Sequence, residues 1–329
     1  MIRTLIVGGG SIGERHLRCF QQTGRADVAL CEINDDLRTQ LAERYQLSRT
    51  FTSLDDALQQ PFDAVVICTP AHLHIAMARQ ALESGAALLI EKPLSTSLEG
   101  IDDLQQALEQ TQRPASVAYV YRAHPGVIAM KQAIDSGRFG RPVQITSVSG
   151  QHFPLYRPAY REIYYTRRET GGGAIQDALT HVMNAAEWFV GPVTRLAADA
   201  EHCVLEGVEV EDTVNVVTRH GSVLGSFSLN QHQPPNESNL TVICENGAVR
   251  FQMHRHRWLS CVEPGAEWQV EESFHLERDH LFVRQADAFL DVVESGSAPA
   301  CTVAEALQTL KVNLGILQAA DEQRWVTID

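Results

Sequence analysis

The stretch Gly8-Gly9-Gly10-Ser11-Ile12-Gly13 constrains this chain more than any other. It follows an apolar run from Ile2 to Val7 and opens an amphipathic stretch over residues 11 to 22. Glycines in this spacing permit a tight strand-to-helix turn, close approach of backbone to a pyrophosphate, and close packing of helix on strand. The helix N-terminus adds unpaired N–H groups that suit an anion. Gly8, Gly10, Ser11, Ile12 and Gly13 are therefore candidate dinucleotide contacts. Glu32 stands nineteen residues beyond Gly13, at the end of a second strand pattern. A carboxylate there accepts hydrogen bonds from ribose hydroxyls and repels a 2′-phosphate, which favours NAD over NADP.

The rest of the N-terminal part agrees with this motif. Short apolar runs at residues 2–7, 28–31, 64–68, 87–90 and 116–120 alternate with helical patterns at 11–22, 35–45, 72–84 and 97–110. Near-continuous apolar strands separated by helices predict a doubly wound parallel sheet covered on both faces, a Rossmann arrangement. After about residue 122 the pattern changes. A helix at 125–136, a strand at 142–150 and a long helix at 173–189 precede alternating strand patterns, with His220-Gly221 and Asn246-Gly247 at hairpin-turn positions. The fold class is α/β: a Rossmann domain over 1–121, then an α/β domain over 122–329 with a large open, mostly antiparallel sheet. Two helical stretches, 279–294 and 302–320, close the chain.

Charge and cysteine usage narrow the partners. With 27 Lys and Arg against 41 Asp and Glu, the net charge of -14 disfavours a hold on nucleic acid. No apolar run approaches 18 residues and no signal-peptide pattern opens the chain, so neither a membrane span nor export is expected. The seven scattered cysteines, none in a C-x-x-C, read as buried thiols of a cytoplasmic protein. Alternate histidines in Met253-His254-Arg255-His256 would share one strand face, but no second ligand cluster accompanies them. That run reads as an exposed strand, and no metal is expected.

Three further groups sit where ligands bind in such folds, at the carboxyl ends of parallel strands or on a polar helix stripe. Thr69-Pro70, with His74 close behind, follows one strand; Glu91-Lys92-Pro93 follows the next. Only three of the cations are lysines, Lys92, Lys131 and Lys311. A lysine at that edge could donate or accept a proton or anchor a substrate oxygen, or it could simply pair with Glu91 in solvent. Asp177, His181, Asn184 and Trp188 fall on one stripe of the 173–189 helix, roughly 120° from its apolar stripe. Asp177 and His181 at i, i+4 can touch, so the carboxylate could orient the imidazole; a solvated pair is the plainer reading.

Together these pieces resemble the Gfo/Idh/MocA family of pyridine-nucleotide oxidoreductases. The ordered set is the glycine loop, Thr69-Pro70 with His74, Glu91-Lys92-Pro93, Arg122 before Pro125, Gly171 to Gly173, and Asp177 with His181. The resemblance implies Lys92, Asp177 and His181 as catalytic residues. It implies Thr69, Pro70, His74, Glu91, Lys92 and Arg122 as cofactor contacts beside the glycine loop and Glu32. It also implies a homodimer or homotetramer formed through the C-terminal sheet. Ala71, Ala178 and Asn184 stand where members often have Asn, Gly and Asp, which bears on substrate identity.

The segment His152 to Arg168 holds four of the seven tyrosines and four arginines. Tyr156, Arg157 and Tyr164 are candidate substrate contacts, as is Asn184, because Tyr can line a sugar face and Arg can grip a carboxylate; the same composition suits a subunit interface. The expected activity is NAD-dependent hydride transfer from a secondary alcohol of a sugar, inositol or sugar derivative. Two other outcomes fit the same residues: a redox-neutral, NAD-cycling glycosidase or epimerase, and a catalytically silent NAD-binding sensor.

Overall fold

The structure, a computed structural model, describes residues 1–329. It opens with β1 (Ile2–Val7), α1 (Ser11–Gln22), β2 (Ala26–Cys31), α2 (Asp35–Tyr45), β3 (Thr50–Phe51), α3 (Leu54–Ala57) and β4 (Ala64–Ile67). Then come α4 (His74–Glu83), β5 (Ala87–Ile90), α5 (Ile101–Thr111), β6 (Ala115–Val117), α6 (Pro125–Asp135), β7 (Pro142–Gly150) and α7 (Phe153–Tyr156). The remainder is α8 (Thr180–Val190), β8 (Arg195–Glu201), β9 (Thr213–His220), β10 (Val223–Asn230), β11 (Glu237–Cys244), β12 (Gly247–Gln252), β13 (Arg257–Cys261), β14 (Gln269–Ser273), α9 (His280–Ser295), α10 (Val303–Glu322) and β15 (Val326–Thr327). The chain divides into two compact units, Met1–Ala123 with Glu277–Ala306, and His124–Leu276 with Leu307–Asp329.

In the first unit six parallel strands run in the order β3-β2-β1-β4-β5-β6. The order reverses between β1 and β4, so the loops after these strands flank the crevice where such sheets take ligands. β4 and β5 are buried along their whole length, as strands covered on both faces must be. The expected division at residue 121 falls two residues short of this unit's first segment, which ends at Ala123, and residues 277–306 also group with it. The cause is the apolar face of α9. Ala286, Phe289 and Leu290 enter the core formed by Leu17, Phe20 and the sheet, with the Phe20 and Phe289 rings edge to face at 6.2 Å. Arg18 adds a two-pronged bond to Asp279 at 2.6 and 2.9 Å. A composition change after residue 122 carries no sign of a chain that returns 150 residues later.

The second unit is built on a nine-stranded sheet in the order β14-β13-β12-β11-β7-β10-β9-β8-β15. Only the β7–β10 pair is parallel; the other pairs are antiparallel. The two expected hairpins are present, with φ +61° at Gly221 and +157° at Gly247. Alternation along β9 and β10 buries Val214, Val216, Phe227 and Leu229 on one face and leaves Val217 and Leu224 exposed on the other.

Three local expectations are corrected. Met253–Arg255 is a turn of 3₁₀ helix and not a strand; His256 follows it with a left-handed φ of 46°. The helix expected over 173–189 begins as a five-residue π turn, Ile175–Leu179, and becomes α-helical only at Thr180. All seven cysteines are free, but Cys203, in the loop after β8, is exposed and Cys261 half-buried.

Candidate active site

The glycine loop of the first unit shows why its residues are glycines. Gly8 has φ +93°, and a Cβ there would lie 3.0 Å from the Cys68 carbonyl oxygen. A Cβ on Gly13 would lie 1.9 Å from the Gly8 carbonyl oxygen, so α1 can press on the loop only without one. Gly10 is the opposite case. It is exposed, caps α1, and a Cβ on it would meet nothing within 4 Å. That open cradle before a helix N-terminus, with exposed Ser11 behind it and half-buried Ile12 beside it, fits the pyrophosphate of a dinucleotide. Glu32 closes the cradle: its carboxylate accepts from the N–H of Gly9 at 2.6 Å and of Asn34 at 2.8 Å. Each carboxylate oxygen keeps further lone-pair capacity for ribose hydroxyls.

Beyond β4 and β5 the structure ties two loops together. His74 is only 1% exposed. Its Nε2 lies 2.9 Å from the Thr69 carbonyl oxygen and its Nδ1 3.0 Å from that of Pro93. Burial pushes this imidazole toward the neutral form, against the two carbonyls and the field of Glu91. With both ring nitrogens facing protein, His74 is a strut between the Thr69 and Lys92–Pro93 loops. The Thr69 hydroxyl bonds Met77 Sδ at 3.4 Å, while Pro70 is exposed.

Glu91 likewise faces inward. Its Oε1 accepts from His16 Nε2 at 2.7 Å, and its Oε2 from the backbone N–H of Lys92 at 2.9 Å. Burial works against the charge, but these bonds and the Lys92 charge hold the carboxyl below its ordinary range. Lys92 itself is half-buried, and its bond to Pro93 is cis. Arg122, a second expected cofactor contact, is buried and directs Nη1 to Glu305 Oε1 at 2.9 Å, tying β6's end to the C-terminal segment of the same unit. His16 and Glu305 carried no signal in the sequence beyond their residue types.

In the second unit the tyrosine- and arginine-rich segment forms a small core of its own. Phe153, Tyr160 and Tyr165 pack with Leu205, Val208 and Val210, while Tyr156 and Arg157 stay exposed. Two of its arginines are paired internally: Arg161 with Glu206 at 3.2 Å, and Arg168 with Glu211 and Asp321, each at 3.1 Å. Tyr164 turns to the π turn and donates its hydroxyl to Asp177 Oδ1 at 2.7 Å. Asp177 is 5% exposed, and His181 stands half-buried in the first turn of α8.

The glycines at 171–173 permit this junction. A Cβ on Gly172 would lie 2.1 Å from the Tyr165 carbonyl oxygen, and one on Gly173, at φ +91°, 2.3 Å from Glu211 Oε1. Glu211 accepts from the Ile175 N–H at 3.2 Å, at the start of the π turn, and burial raises its pKa above the ordinary value. Asn184 does not join the expected polar stripe. It is 1% exposed and donates to Thr309 Oγ1 of α10 at 3.0 Å, so it serves helix packing.

Comparison with known proteins agrees with both halves. Residues 2–119 match the oxidoreductase family with an NAD-binding Rossmann fold, and residues 127–250 match the Gfo/Idh/MocA C-terminal domain. The chain belongs to the Gfo/Idh/MocA family. Among its curated relatives are inositol 2-dehydrogenase of Rhizobium meliloti, 23% identical over 99% of both chains, and levoglucosan dehydrogenase of Pseudarthrobacter phenanthrenivorans, 22% identical over 98% of this chain and 97% of the relative. Among solved structures, a levoglucosan dehydrogenase in complex with NADH and levoglucosan shares the fold with a TM-score of 0.89 at 20% identity, covering 99% of each chain. The family's ordered motifs fall, in this member, on the loops after β1, β4 and β5 and on the π turn leading into α8.

Proposed function

We propose that this protein is an NAD-dependent dehydrogenase that oxidises a secondary alcohol of a sugar, an inositol or a related polyol. The observation that carries the reading is the glycine cradle closed by Glu32, in a chain whose two halves both match the oxidoreductase family. Its relatives named for inositol and levoglucosan support the substrate class. Gly8, Gly10, Ser11, Ile12 and Gly13 would hold the pyrophosphate, and Glu32 the ribose. Bound NAD supplies the hydride acceptor for the carbinol carbon.

The chain's own residues handle the proton. His181 accepts the hydroxyl proton as the carbonyl forms, Lys92 bonds the reacting oxygen and stabilises alkoxide charge, and Asp177 orients the proton-transfer group. The Glu91 carboxylate, by accepting from the Lys92 N–H, fixes the backbone from which that lysine reaches. Seven free cysteine thiols suit a reducing, cytoplasmic setting. The exposed face of the nine-stranded sheet, with Val148, Val217 and Leu224, supports a homodimer or homotetramer.

The test is a screen of polyols, aldoses, uronic acids and N-acetyl sugars with NAD and with NADP, following NADH absorbance and product mass. Stoichiometric NADH with one product lighter than its substrate by two hydrogens is expected, with NAD preferred. Lys92→Met and His181→Ala should each lower kcat by about 10²-fold or more. Turnover without net NADH, or full activity in both variants, overturns the reading.

A further inference from the structure

We propose that Tyr164 is a positioning residue for the oxidation: its phenolic O–H anchors one oxygen of Asp177 and so fixes the direction in which the carboxylate presents the other. This rests on the dehydrogenase reading, in which Asp177 serves proton transfer.

The contact is short and sheltered. Tyr164 Oη lies 2.7 Å from Asp177 Oδ1, and Asp177 is 5% exposed. A carboxylate removed from water needs donors in place of the lost solvent, and a phenol supplies a strong one without adding charge.

The segment that carries Tyr164 is fixed on both sides of it. The Tyr164 carbonyl oxygen accepts from Thr170 Oγ1 at 2.6 Å. Next door, Tyr165 is fully buried in the Phe153–Tyr160 cluster and bonds Gln231 Oε1. Tyr160 donates to the Glu206 carbonyl oxygen at 2.7 Å. Gly172 lies so close to the Tyr165 carbonyl that no side chain fits between them. The hydroxyl of Tyr164 is thus delivered from a held backbone and not from a swinging loop.

The receiving side calls for such a fix. Asp177 lies inside the five-residue π turn, where the widened helix re-aims a side chain away from its α-helical direction. Its backbone N–H still bonds the Gly173 carbonyl oxygen at 3.0 Å, so the main chain is held while the carboxylate depends on side-chain partners. Burial, joined by the fields of Asp177, Glu211 and Asp212, pushes the neighbouring Tyr165 hydroxyl strongly up. In a field of that sign a neutral donor aimed at Asp177 sets its orientation without cancelling its charge.

The experiment is a cycle of Tyr164→Phe, Asp177→Asn and the double variant in the full chain. It measures kcat across pH on the best substrate of the screen, NADH affinity by fluorescence titration, and urea unfolding. Tyr164→Phe should lower kcat about tenfold and move the acid limb of the profile to higher pH, because a donor to the carboxylate has been lost, with NADH affinity unchanged. In the Asp177→Asn background the same change should cost less than about twofold, since its partner is altered. Full activity and an unshifted profile in Tyr164→Phe, with Asp177→Asn inactive, overturns the positioning role and leaves the dehydrogenase reading intact. Losses that multiply in the double variant also overturn it, because Tyr164 then acts independently of Asp177. Full activity in Asp177→Asn, or no NADH from any substrate with the wild type, overturns the reading on which the role rests; coupling in the unfolding cycle then still reports whether the contact exists.

Discussion

His16 Nε2 lies 2.7 Å from Glu91 Oε1 with both side chains buried, so the helix that follows the glycine loop is bonded directly to the residue preceding Lys92. Replacing His16 with Leu removes the donor and leaves an acid in an apolar setting. Unfolding in urea should then require about 2–4 kcal/mol less, the range for a buried charge that loses a partner. His16→Gln reaches with an N–H in the place of Nε2 and should recover at least half of the loss. Because Glu91 also holds the Lys92 N–H, kcat should fall in His16→Leu and recover in step with stability in His16→Gln. A Leu variant as stable as the wild type would show that the bond carries no net free energy.

Gly10 and Gly13 separate binding from folding. A Cβ at Gly13 would meet the Gly8 carbonyl oxygen at 1.9 Å, so Gly13→Ala must displace α1 from the sheet. It should lose roughly 2–3 kcal/mol of stability together with NADH binding. A Cβ at Gly10 meets nothing within 4 Å. Gly10→Ala should keep its unfolding free energy within about 0.5 kcal/mol of the wild type, yet weaken NADH about tenfold by filling the cradle. Calorimetric titration with NADH beside thermal unfolding of both variants checks the pair. Undiminished affinity in Gly10→Ala would mean that the pyrophosphate does not lie over that residue.

How far the sequence could be read follows from the range of the interactions involved. The parallel sheet was legible because a strand, a glycine turn and a helix are encoded within twenty residues, and the hairpins because His220-Gly221 and Asn246-Gly247 are local turns. The return of α9 to the first unit was not, since Phe289 finds Phe20 across 269 positions and any apolar helix face would look the same. At the candidate site the residue types were legible, but their partners were not. His74, Glu91, Arg122 and Asn184 all stand at motif positions, and each bonds to protein: Thr69 and Pro93, His16, Glu305, and Thr309. The π turn escaped as well, because one added residue per turn leaves no mark in an apolar period read over seventeen positions.

Three histidines set a pH dependence of stability. Burial lowers the pKa of His74, His220 and His256 from the ordinary 6.5. His220 is held by the Gly191 carbonyl oxygen at 2.7 Å and Thr218 Oγ1 at 3.0 Å. His124 Nδ1 accepts the Gly126 N–H at 3.0 Å, so its proton sits on Nε2 and donates to His256 Nδ1 at 3.2 Å. The unfolded chain therefore binds protons at these sites more readily than the native state. Their stabilisation is complete above about pH 6.5 and is lost as pH falls through the lower native values. Glu211, with its raised pKa, has the opposite sign: its contribution is complete below the ordinary 4.5 and lost as pH rises. Comparing single variants with the wild type separates the two trends. In His256→Asn, Tm should decline less between pH 7 and pH 5 than in the wild type, by a few degrees. An identical decline in both proteins would show that the His124–His256 pair titrates alike in the folded and unfolded chain.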